Sequence, residues 1–361
     1  MNGFRATGTQ QVDAWAARTL PPVERLAGDL WSVPVPIPDN PLRYTLSYLV
    51  PAEAGWVVID PGWDTIEGWA ALTAGLATAG AGVPDVRGVV VTHVHPDHHG
   101  LSGRLQQAGA WVAMHPAERD TLPRRTSTAH QAEQRAEAER WLQRSGAPDR
   151  EVAALLSGFR SGGSRAAFTL VEPDVLLEDG DLVPTTDRLR AVWTPGHTPG
   201  HLCLQDVAAH RLLTGDHVLP RISPNIGLHP GTDSRALADF LSSLDRVAEY
   251  DDHEALPAHE YRFAGLAHRA RQLQDHHARR CQEVIDVVGQ LGAPTLWQLA
   301  ERLTWSRPWS EIGFMVFGAL AETAAHVQYL ADRGRLDWPG LDERSDQHGP
   351  TTPALIHPRV P

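Results

Sequence analysis

Histidines and aspartates crowd one short segment, Thr92-His93-Val94-His95-Pro96-Asp97-His98-His99, directly after the apolar run 86–91. Alternate residues of an extended chain share a face, so the side chains of His93 and His95 can bind one ion. Asp97 and His98 lie at the turn that follows and can reach another ion. A chance cluster on a surface loop is the alternative, but this density of donors behind a predicted buried strand favours metal binding. The segment therefore predicts the beginning of two metal sites.

Further potential ligands follow other short apolar runs. Catalytic zinc typically takes three protein ligands and leaves a position for water, so two ions need more donors than one loop supplies. Each of these runs leads through a small residue or a proline to a residue that can bind metal. The donors are His197 in the turn 194–201, Asp216 after the run 211–215, and His259 after the run 255–258.

This order of motifs, HxHxDH, then PGHTPGH, TGD and LPAH, resembles that of the metallo-β-lactamase-fold hydrolases over roughly the first 260 residues. The resemblance implies two zinc ions, although the same ligands also accept iron or manganese. It implies a first metal held by His93, His95 and His197, a second held by Asp97, His98 and His259, and Asp216 as the bridge between them. His99 has no place in this set.

The resemblance also implies a reaction. Two ions that share a carboxylate can bridge a hydroxide, which attacks an acyl carbonyl. Asp97 is the predicted catalytic residue, because it would orient the hydroxide and carry its proton. His95 stands where di-iron relatives have glutamate, and Asp216 stands where true β-lactamases have cysteine. The leading hypothesis is therefore hydrolysis of a small thioester, ester or lactone rather than redox chemistry or antibiotic hydrolysis.

Five more residues are candidates for a supporting or substrate-facing role. Asp60 matches the strand-end aspartate that supports the metal loop in this family, and an ordinary Asp-Pro-Gly turn is the alternative. His201 and His217 adjoin ligands and either support them or simply pack. Tyr261 and Arg262 follow His259 in a stretch that resembles hydroxyacylglutathione hydrolases (glyoxalase II). The chain has no lysine, so glutathione itself is not supported as the substrate.

The pattern of strands and helices predicts an α/β fold. Residues 1–262 read as an αββα sandwich catalytic domain, with a charged helical insert at about 116–167 that we predict to be a lid. Residues 263–338 read as helices followed by a turn, which predicts a winged-helix-like C-terminal domain. The Pro-rich residues 339–361 are predicted to be a loose tail.

The composition and net charge limit the classes of chemistry and of binding partner. All 32 basic residues are arginines, which excludes Schiff-base lysine chemistry and a P-loop. The net charge of −12 makes nucleic acid an unfavourable partner. The last predicted helix and its turn are also slightly acidic, which favours packing or a homodimer through the C-terminal helices over DNA binding. The predicted partner is a small-molecule acyl substrate.

No run approaches the ~18–20 apolar residues of a membrane span, and the N-terminus is polar, so we predict a cytoplasmic protein without membrane association. Two cysteines, Cys203 and Cys281, are too few for a disulfide framework. Two alternatives remain open. The C-terminal helices are similar to those of lactamase-like proteins that include an endoribonuclease, which allows a metal-dependent nuclease. A metal-binding regulatory protein that uses its C-terminal domain is the other.

Overall fold

The computed structural model describes residues 3–122, 128–161, 170–230, 235–341 and 352–359. The chain divides into two compact units. The first comprises Met1–Pro123, Ala167–Pro224 and Phe240–Leu273, and the second comprises Arg124–Ala166, Asn225–Asp239 and Gln274–Pro361. Of the predicted insert at 116–167, Arg124–Ala166 thus belongs to the second unit, together with the C-terminal helices.

The strands are β1 (Arg5–Ala6), β2 (Glu24–Arg25), β3 (Trp31–Pro36), β4 (Tyr44–Ala52), β5 (Gly55–Ile59), β6 (Val86–Val90), β7 (Trp111–Met114), β8 (Val175–Leu176), β9 (Leu189–Trp193), β10 (Leu202–Asp206), β11 (Arg211–Gly215), β12 (Glu254–Pro257), β13 (Phe263–Ala264), β14 (Leu336–Asp337) and β15 (His357–Pro358). The helices are α1 (Thr9–Ala17), α2 (Ile66–Thr78), α3 (Pro96–His99), α4 (Ser102–Gln107), α5 (Pro116–Arg119), α6 (Thr128–Arg144), α7 (Asp149–Ser161), α8 (Ala236–Ala248), α9 (Leu266–Leu291), α10 (Leu296–Ala300) and α11 (Val316–Asp332).

Two sheets of the first unit pack face to face. One has the order β2-β3-β4-β5-β6-β7-β8 and the other the order β1-β13-β12-β11-β10-β9. Alternate residues of β4, such as Tyr44, Leu46 and Tyr48, point into the core between the sheets, where they meet Leu204 and Leu213 of the other sheet. This alternation has the period of two that a strand requires, so one face of each sheet is apolar and can be buried.

Helices cover the outer faces. Leu72 and Leu76 of α2 pack against the outer face of the first sheet, and Leu105 of α4 joins the same core. Thr65 begins α2 because its side-chain oxygen accepts a hydrogen bond from Gly68 N. On the outer side of the second sheet, Ser243 of α8 donates to Pro195 O, directly after β9. The fold is therefore the predicted αββα sandwich.

The second unit is mainly helical. It contains α6, α7, α10, α11 and most of α9, together with the antiparallel pair β14–β15. Three helices followed by a strand pair have the order of a winged helix, and that assignment stays a prediction. A capping box of Thr295 and Gln298 begins α10.

The prediction of a loose tail at 339–361 is wrong for the described residues 352–359. Ile356 is fully buried, and its backbone amide donates to Pro294 O. His357–Pro358 forms β15 against β14. The two apolar residues Ala354 and Ile356 bury themselves within the second unit, and this burial outweighs the surrounding prolines.

Among the described residues, the helices fall short of the length and apolar character that crossing a bilayer requires.

Candidate metal centre

The candidate ligands lie at the carboxyl ends of parallel strands. β6 pairs in parallel with β5 and leads into His93, while β11 pairs in parallel with β12. Asp216 follows β11 and His259 follows β12 at the same edge. Strands that run in the same direction bring their ends together, so residues distant in sequence meet in loops on a rigid scaffold.

Three histidine nitrogens form the first donor group. His95 Nδ1 lies 3.0 Å from His93 Nε2 and 3.2 Å from His197 Nε2. Asp216 Oδ2 lies 4.0 Å from His93 Nε2 and 3.8 Å from His197 Nε2. The group therefore consists of three imidazoles and one carboxylate oxygen that face a common point.

The second donor group consists of Asp97, His98 and His259. Asp97 Oδ2 lies 3.6 Å from His98 Nε2 and 3.4 Å from His259 Nε2. Asp216 turns its other oxygen, Oδ1, to this group, 3.5 Å from His98 Nε2 and 3.1 Å from His259 Nε2. One carboxylate thus faces both groups, which is the arrangement of a bridging ligand.

The donor chemistry fits metal ions. Zinc bound tetrahedrally at about 2.0–2.1 Å separates its ligand atoms by roughly 3.3 Å, close to the spacings within each group. His98 Nε2, His259 Nε2 and Asp216 Oδ1 are buried and have no hydrogen-bond partner. Buried polar atoms without partners are costly, and a bound cation would satisfy all three. Nitrogen and carboxylate donors together suit zinc, iron or manganese.

Groups behind the ligands orient two of these histidines. His98 Nδ1 lies 2.8 Å from Asp60 Oδ2, and His259 Nδ1 lies 2.8 Å from Tyr44 O. Both contacts assign the proton to Nδ1 and leave the Nε2 lone pair toward the centre. Asp60 also accepts hydrogen bonds from the backbone amide and the hydroxyl of Thr92, and so fixes the start of the metal loop.

Opposite pKa shifts distinguish the histidines of the two groups. Burial lowers the pKa of His95 to about 3, and burial likewise lowers that of His93 well below its usual range. Burial would lower the pKa of His98 too, but the carboxylates of Asp216 and Asp97 raise it well above normal. Conversely, His98 and His259 overcome the effect of burial on Asp97 and lower its pKa to about 2. The ionised carboxylates therefore require positive charge in this pocket, and His93 and His95 stay neutral, as metal ligands must.

His201 and His217 lie behind the ligands. His201 Nε2 accepts a hydrogen bond from the backbone amide of Asp216 at 3.2 Å, and so holds Asp216 in place. His217 is fully buried, with its ring edge-to-face against Phe240 at 4.9 Å. Gly215 has a positive φ of 48°, and a Cβ there would stand 2.6 Å from His201 Nε2. His99 is buried outside both groups, and burial lowers its pKa to about 4.

Arg262 forms ion pairs with two glutamates outside the donor groups. Its guanidinium binds Glu254 and Glu24, each at 2.6 Å. Glu254 begins β12, whereas the ligand His259 follows the end of that strand, so these ion pairs do not belong to the metal centre. Tyr261 is buried next to Glu260, whose carboxylate accepts from the Arg221 amide.

Glu118 is a site residue that the sequence motifs did not reveal. Its Oε1 accepts from Val94 N at 2.6 Å, and its Oε2 accepts from Gly200 N at 2.9 Å. One fully buried carboxylate therefore ties the loop of His93 and His95 to the loop of His197. Burial raises its pKa, which the two amide hydrogen bonds partly offset. The signal was present, since Glu118 lies in the short helix α5, four residues after the apolar strand β7.

An αββα sandwich that carries two histidine–carboxylate groups at one sheet edge is the architecture of a metal-dependent hydrolase. The sequence model of the metallo-beta-lactamase superfamily matches residues 40–259, and the chain belongs to this superfamily. The matched stretch contains every residue of both donor groups. The protein is a hydrolase of that superfamily.

The chain is 30% identical over 224 residues to a human protein named acyl-coenzyme A thioesterase MBLAC2, covering 60% of this chain and 71% of that protein. Among solved structures it is similar to a metallo-beta-lactamase family protein from Thermus thermophilus, with 29% identity, a TM-score of 0.67, and coverage of 91% of this chain and 98% of the other. It is also similar to a beta-lactamase domain protein from Burkholderia ambifaria, with 26% identity, a TM-score of 0.71, and coverage of 93% and 94%.

Proposed function

We propose that this protein hydrolyses acyl thioesters, with acyl-coenzyme A as the substrate class, by means of two zinc ions. The observation that carries the proposal is the pair of donor groups that share Asp216, in a chain similar to a protein named as an acyl-coenzyme A thioesterase. Small esters and lactones are the neighbouring substrate classes. They require the same attack on a carbonyl.

The metals would occupy the two donor groups described above. When bound, a pair of divalent ions acidifies a shared water and polarises the carbonyl of the substrate. The chain's own contribution is to hold seven ligands in place and to keep the lone pairs of His98 and His259 pointed inward through Asp60 and Tyr44 O. Preorganisation of this kind is what makes such a site effective.

Asp97 is the proposed catalytic residue. Its carboxylate is ionised, because His98 and His259 lower its pKa to about 2 against the effect of burial. An ionised carboxylate can accept a hydrogen bond from the attacking water and take its proton. A thiolate can leave without first taking up a proton more readily than an alkoxide can. Thioesters therefore suit a site in which a single carboxylate is available for proton transfer.

Trp193 is a proposed contact for the acyl chain. It ends β9, four residues before the ligand His197, and 37% of its surface is exposed. Its ring stacks on His115 at 5.0 Å, and its Nε1 donates to Pro199 O at 2.9 Å, so the indole is held rigidly. A fixed, exposed aromatic face at the metal edge, the sheet edge that carries the two donor groups, provides apolar contact area at little entropic cost. We expect Trp193→Ala to raise KM for long-chain acyl-coenzyme A several-fold and to leave KM for acetyl-coenzyme A nearly unchanged.

The test is a substrate panel. Zinc-loaded protein would be assayed against acyl-coenzyme A thioesters of increasing chain length, aryl esters, lactones and single-stranded RNA. The proposal predicts the highest kcat/KM on an acyl-coenzyme A, and loss of that activity in Asp97→Ala. A higher kcat/KM on lactones or esters would contradict the thioester assignment, and cleavage of RNA alone would favour the nuclease alternative.

A further inference from the structure

A third group of side chains that could hold a metal ion lies at the opposite end of the sheet from the two donor groups. It consists of His210, Asp252 and His253, whose potential ligand atoms all lie within 4.8 Å of one another. We call it the His210 cluster. His210 directly precedes β11, and His253 directly precedes β12. Since Asp216 and His259 follow the same two strands, the two kinds of site are separated by the length of these strands.

That separation is large. β11 has 5 residues. At about 3.3 Å per residue, the strand spans roughly 17 Å. An ion bound by the His210 cluster would therefore be independent of the ions at the catalytic centre, and a variant in the cluster would leave every catalytic ligand in place.

The carboxylate of Asp252 stands between the two imidazoles. Its Oδ2 lies 3.1 Å from His210 Nδ1, and its Oδ1 lies 2.7 Å from His253 Nδ1. The ring centroids of His210 and His253 are 5.2 Å apart. Zinc bonds of about 2.0–2.1 Å place neighbouring ligand atoms roughly 3.3 Å apart, so small rotations of these side chains suffice for coordination.

The backbone holds both histidines in register. Arg211 and Glu254 are paired residues of the parallel strands, and Glu254 N donates to His210 O at 2.9 Å. His253 N donates to Tyr250 O at 2.9 Å. The two ligand-bearing segments are thus ordered before any ion binds, which removes part of the entropic cost of chelation.

Gln205 can orient His253 for metal binding. Its side-chain amide lies 3.3 Å from His253 Nε2. The nitrogen and oxygen of such an amide can exchange places by rotation, so Gln205 can accept a hydrogen bond from Nε2–H. When an ion replaces the Nδ1–H hydrogen bond to Asp252, the proton would sit on Nε2 and the lone pair of Nδ1 would face the ion. Histidine ligands commonly donate their second ring N–H in this way.

We propose that the His210 cluster binds one divalent transition-metal ion of the zinc class, as a site separate from the catalytic centre. Two imidazole nitrogens and one carboxylate favour zinc, cobalt, nickel or copper over magnesium or calcium, which prefer oxygen ligands. The side chains of His210 and Asp252 are each 66% exposed, so the ion has an entry path and room for water ligands. The ion would join the turn before β11 to the turn before β12.

Metal stoichiometry tests this proposal. The full chain would be stripped with chelator and brought to equilibrium by dialysis against buffered zinc, with metal per chain measured by elemental analysis. Relative to the wild-type protein, His210→Ala and Asp252→Asn should each lose about one equivalent and keep the same hydrolytic kcat. His268→Ala is the matched control, because His268 is bonded to Gln272 and belongs to no ligand group among the described residues. It should keep all the metal.

Equal zinc content in the wild-type protein, His210→Ala and Asp252→Asn would overturn the proposal, and so would an equal loss in His268→Ala. The same comparison in a His197→Ala background keeps the test independent of the catalytic centre. There, His210→Ala should again remove one equivalent, even if the catalytic ligands load poorly. A retained equivalent in that double variant would contradict the assignment.

Discussion

Two buried histidine clusters of this protein have opposite chemistry. At the metal edge of the first unit, His98 and His259 are fully buried, and their Nε2 atoms face the carboxylates of Asp97 and Asp216. In the second unit, His277 and His326 are equally buried, but His277 Nδ1 lies 3.1 Å from His326 Nε2. His326 Nδ1 in turn donates to Glu322 O. Burial alone therefore does not distinguish a functional histidine from one that packs.

The position of the carboxylates makes the difference. In the His277–His326 pair, one ring donates to the next and that ring donates to a helix carbonyl. Burial lowers the pKa of His277 to about 2 and that of His326 to about 4, so both rings are neutral. At the metal edge, carboxylates raise the pKa of His98 and His259 despite burial, and nitrogen atoms are left without partners. Ring nitrogens without hydrogen-bond partners that surround an ionised carboxylate are characteristic of a metal centre.

The largest expected effect is that of removing the shared carboxylate. Asp216→Ala takes an oxygen from both donor groups at once and removes one of the two carboxylates that face His98 and His259. Loss of a group that only supports metal ligands typically costs about 10–100-fold, so loss of the bridge should exceed roughly 100-fold in kcat/KM. Metal content and kcat/KM check this together. A variant that retained both metals and its activity would remove the distinction between the two clusters.

Asp60→Asn should have the next largest effect. The carboxylate of Asp60 accepts hydrogen bonds from His98 Nδ1 and from the backbone amide and hydroxyl of Thr92. An asparagine has only one acceptor oxygen, and its NH2 group would face one of these donors. We expect about 10–100-fold weaker zinc binding. Asp174→Asn is the matched control, since Asp174 also accepts a backbone amide, that of Val112, but touches no metal ligand. Equal zinc affinity in the two variants would show that Asp60 has only a structural role.

Glu118→Gln should have a smaller effect. The carbonyl oxygen of a glutamine can accept from only one of the two backbone amides that Glu118 joins, those of Val94 and Gly200. Its NH2 group would face the other backbone amide, so that two donors would meet. We expect kcat to fall by about 10-fold, at the lower end of the range for groups behind metal ligands, while the protein stays folded. Circular dichroism and kcat measured on the same preparation check this. Unchanged kcat would mean that the tie between the loops is dispensable.

The smallest effect on activity is expected at the His277–His326 pair of the second unit. The pKa values of His277 and His326 are depressed on folding, so the unfolded chain binds more protons than the native one below about pH 6.5. Their contribution to stability is complete above that pH and is lost as the pH falls. Each group contributes a slope of up to roughly 1.4 kcal/mol per pH unit.

The double variant His277→Leu/His326→Leu removes both partners together, which avoids leaving one ring unsatisfied. Its free energy of unfolding, measured by denaturant titration from about pH 7 to 5, should fall less steeply than that of the wild-type protein. Zinc content and kcat should not change. An identical slope, or a loss of zinc, would contradict the view that this pair only packs.

The apolar run before each candidate ligand predicted its place at a strand end, whereas the grouping of the ligands into two sites was implied by the family resemblance and stays a prediction. Parallel pairing explains why strand ends within one sheet meet, but His93 and His259 follow strands of different sheets, so the packing of the two sheets is also needed to bring them together. The sandwich was predicted from the pattern of strands and helices in residues 1–262.

Other features depend on contacts that a linear pattern does not show. Glu118 acts through two backbone amides that are 24 and 82 residues away, and Arg262 is held by Glu24, 238 residues away. The His210 cluster joins residues that are 42 positions apart in sequence, which only the register of β11 and β12 brings together. Likewise, the prolines of the C-terminal stretch concealed the burial of Ile356.

The most direct test of the metal centre is a crystal structure with anomalous diffraction data collected on both sides of the zinc absorption edge. We predict two peaks at the metal edge, one among His93, His95 and His197 and one among Asp97, His98 and His259, with Asp216 between them. Two ions that share a carboxylate are about 3.5–4 Å apart. A single peak at that edge, or an Asp216 that contacts only one ion in zinc-loaded protein, would contradict the dinuclear assignment.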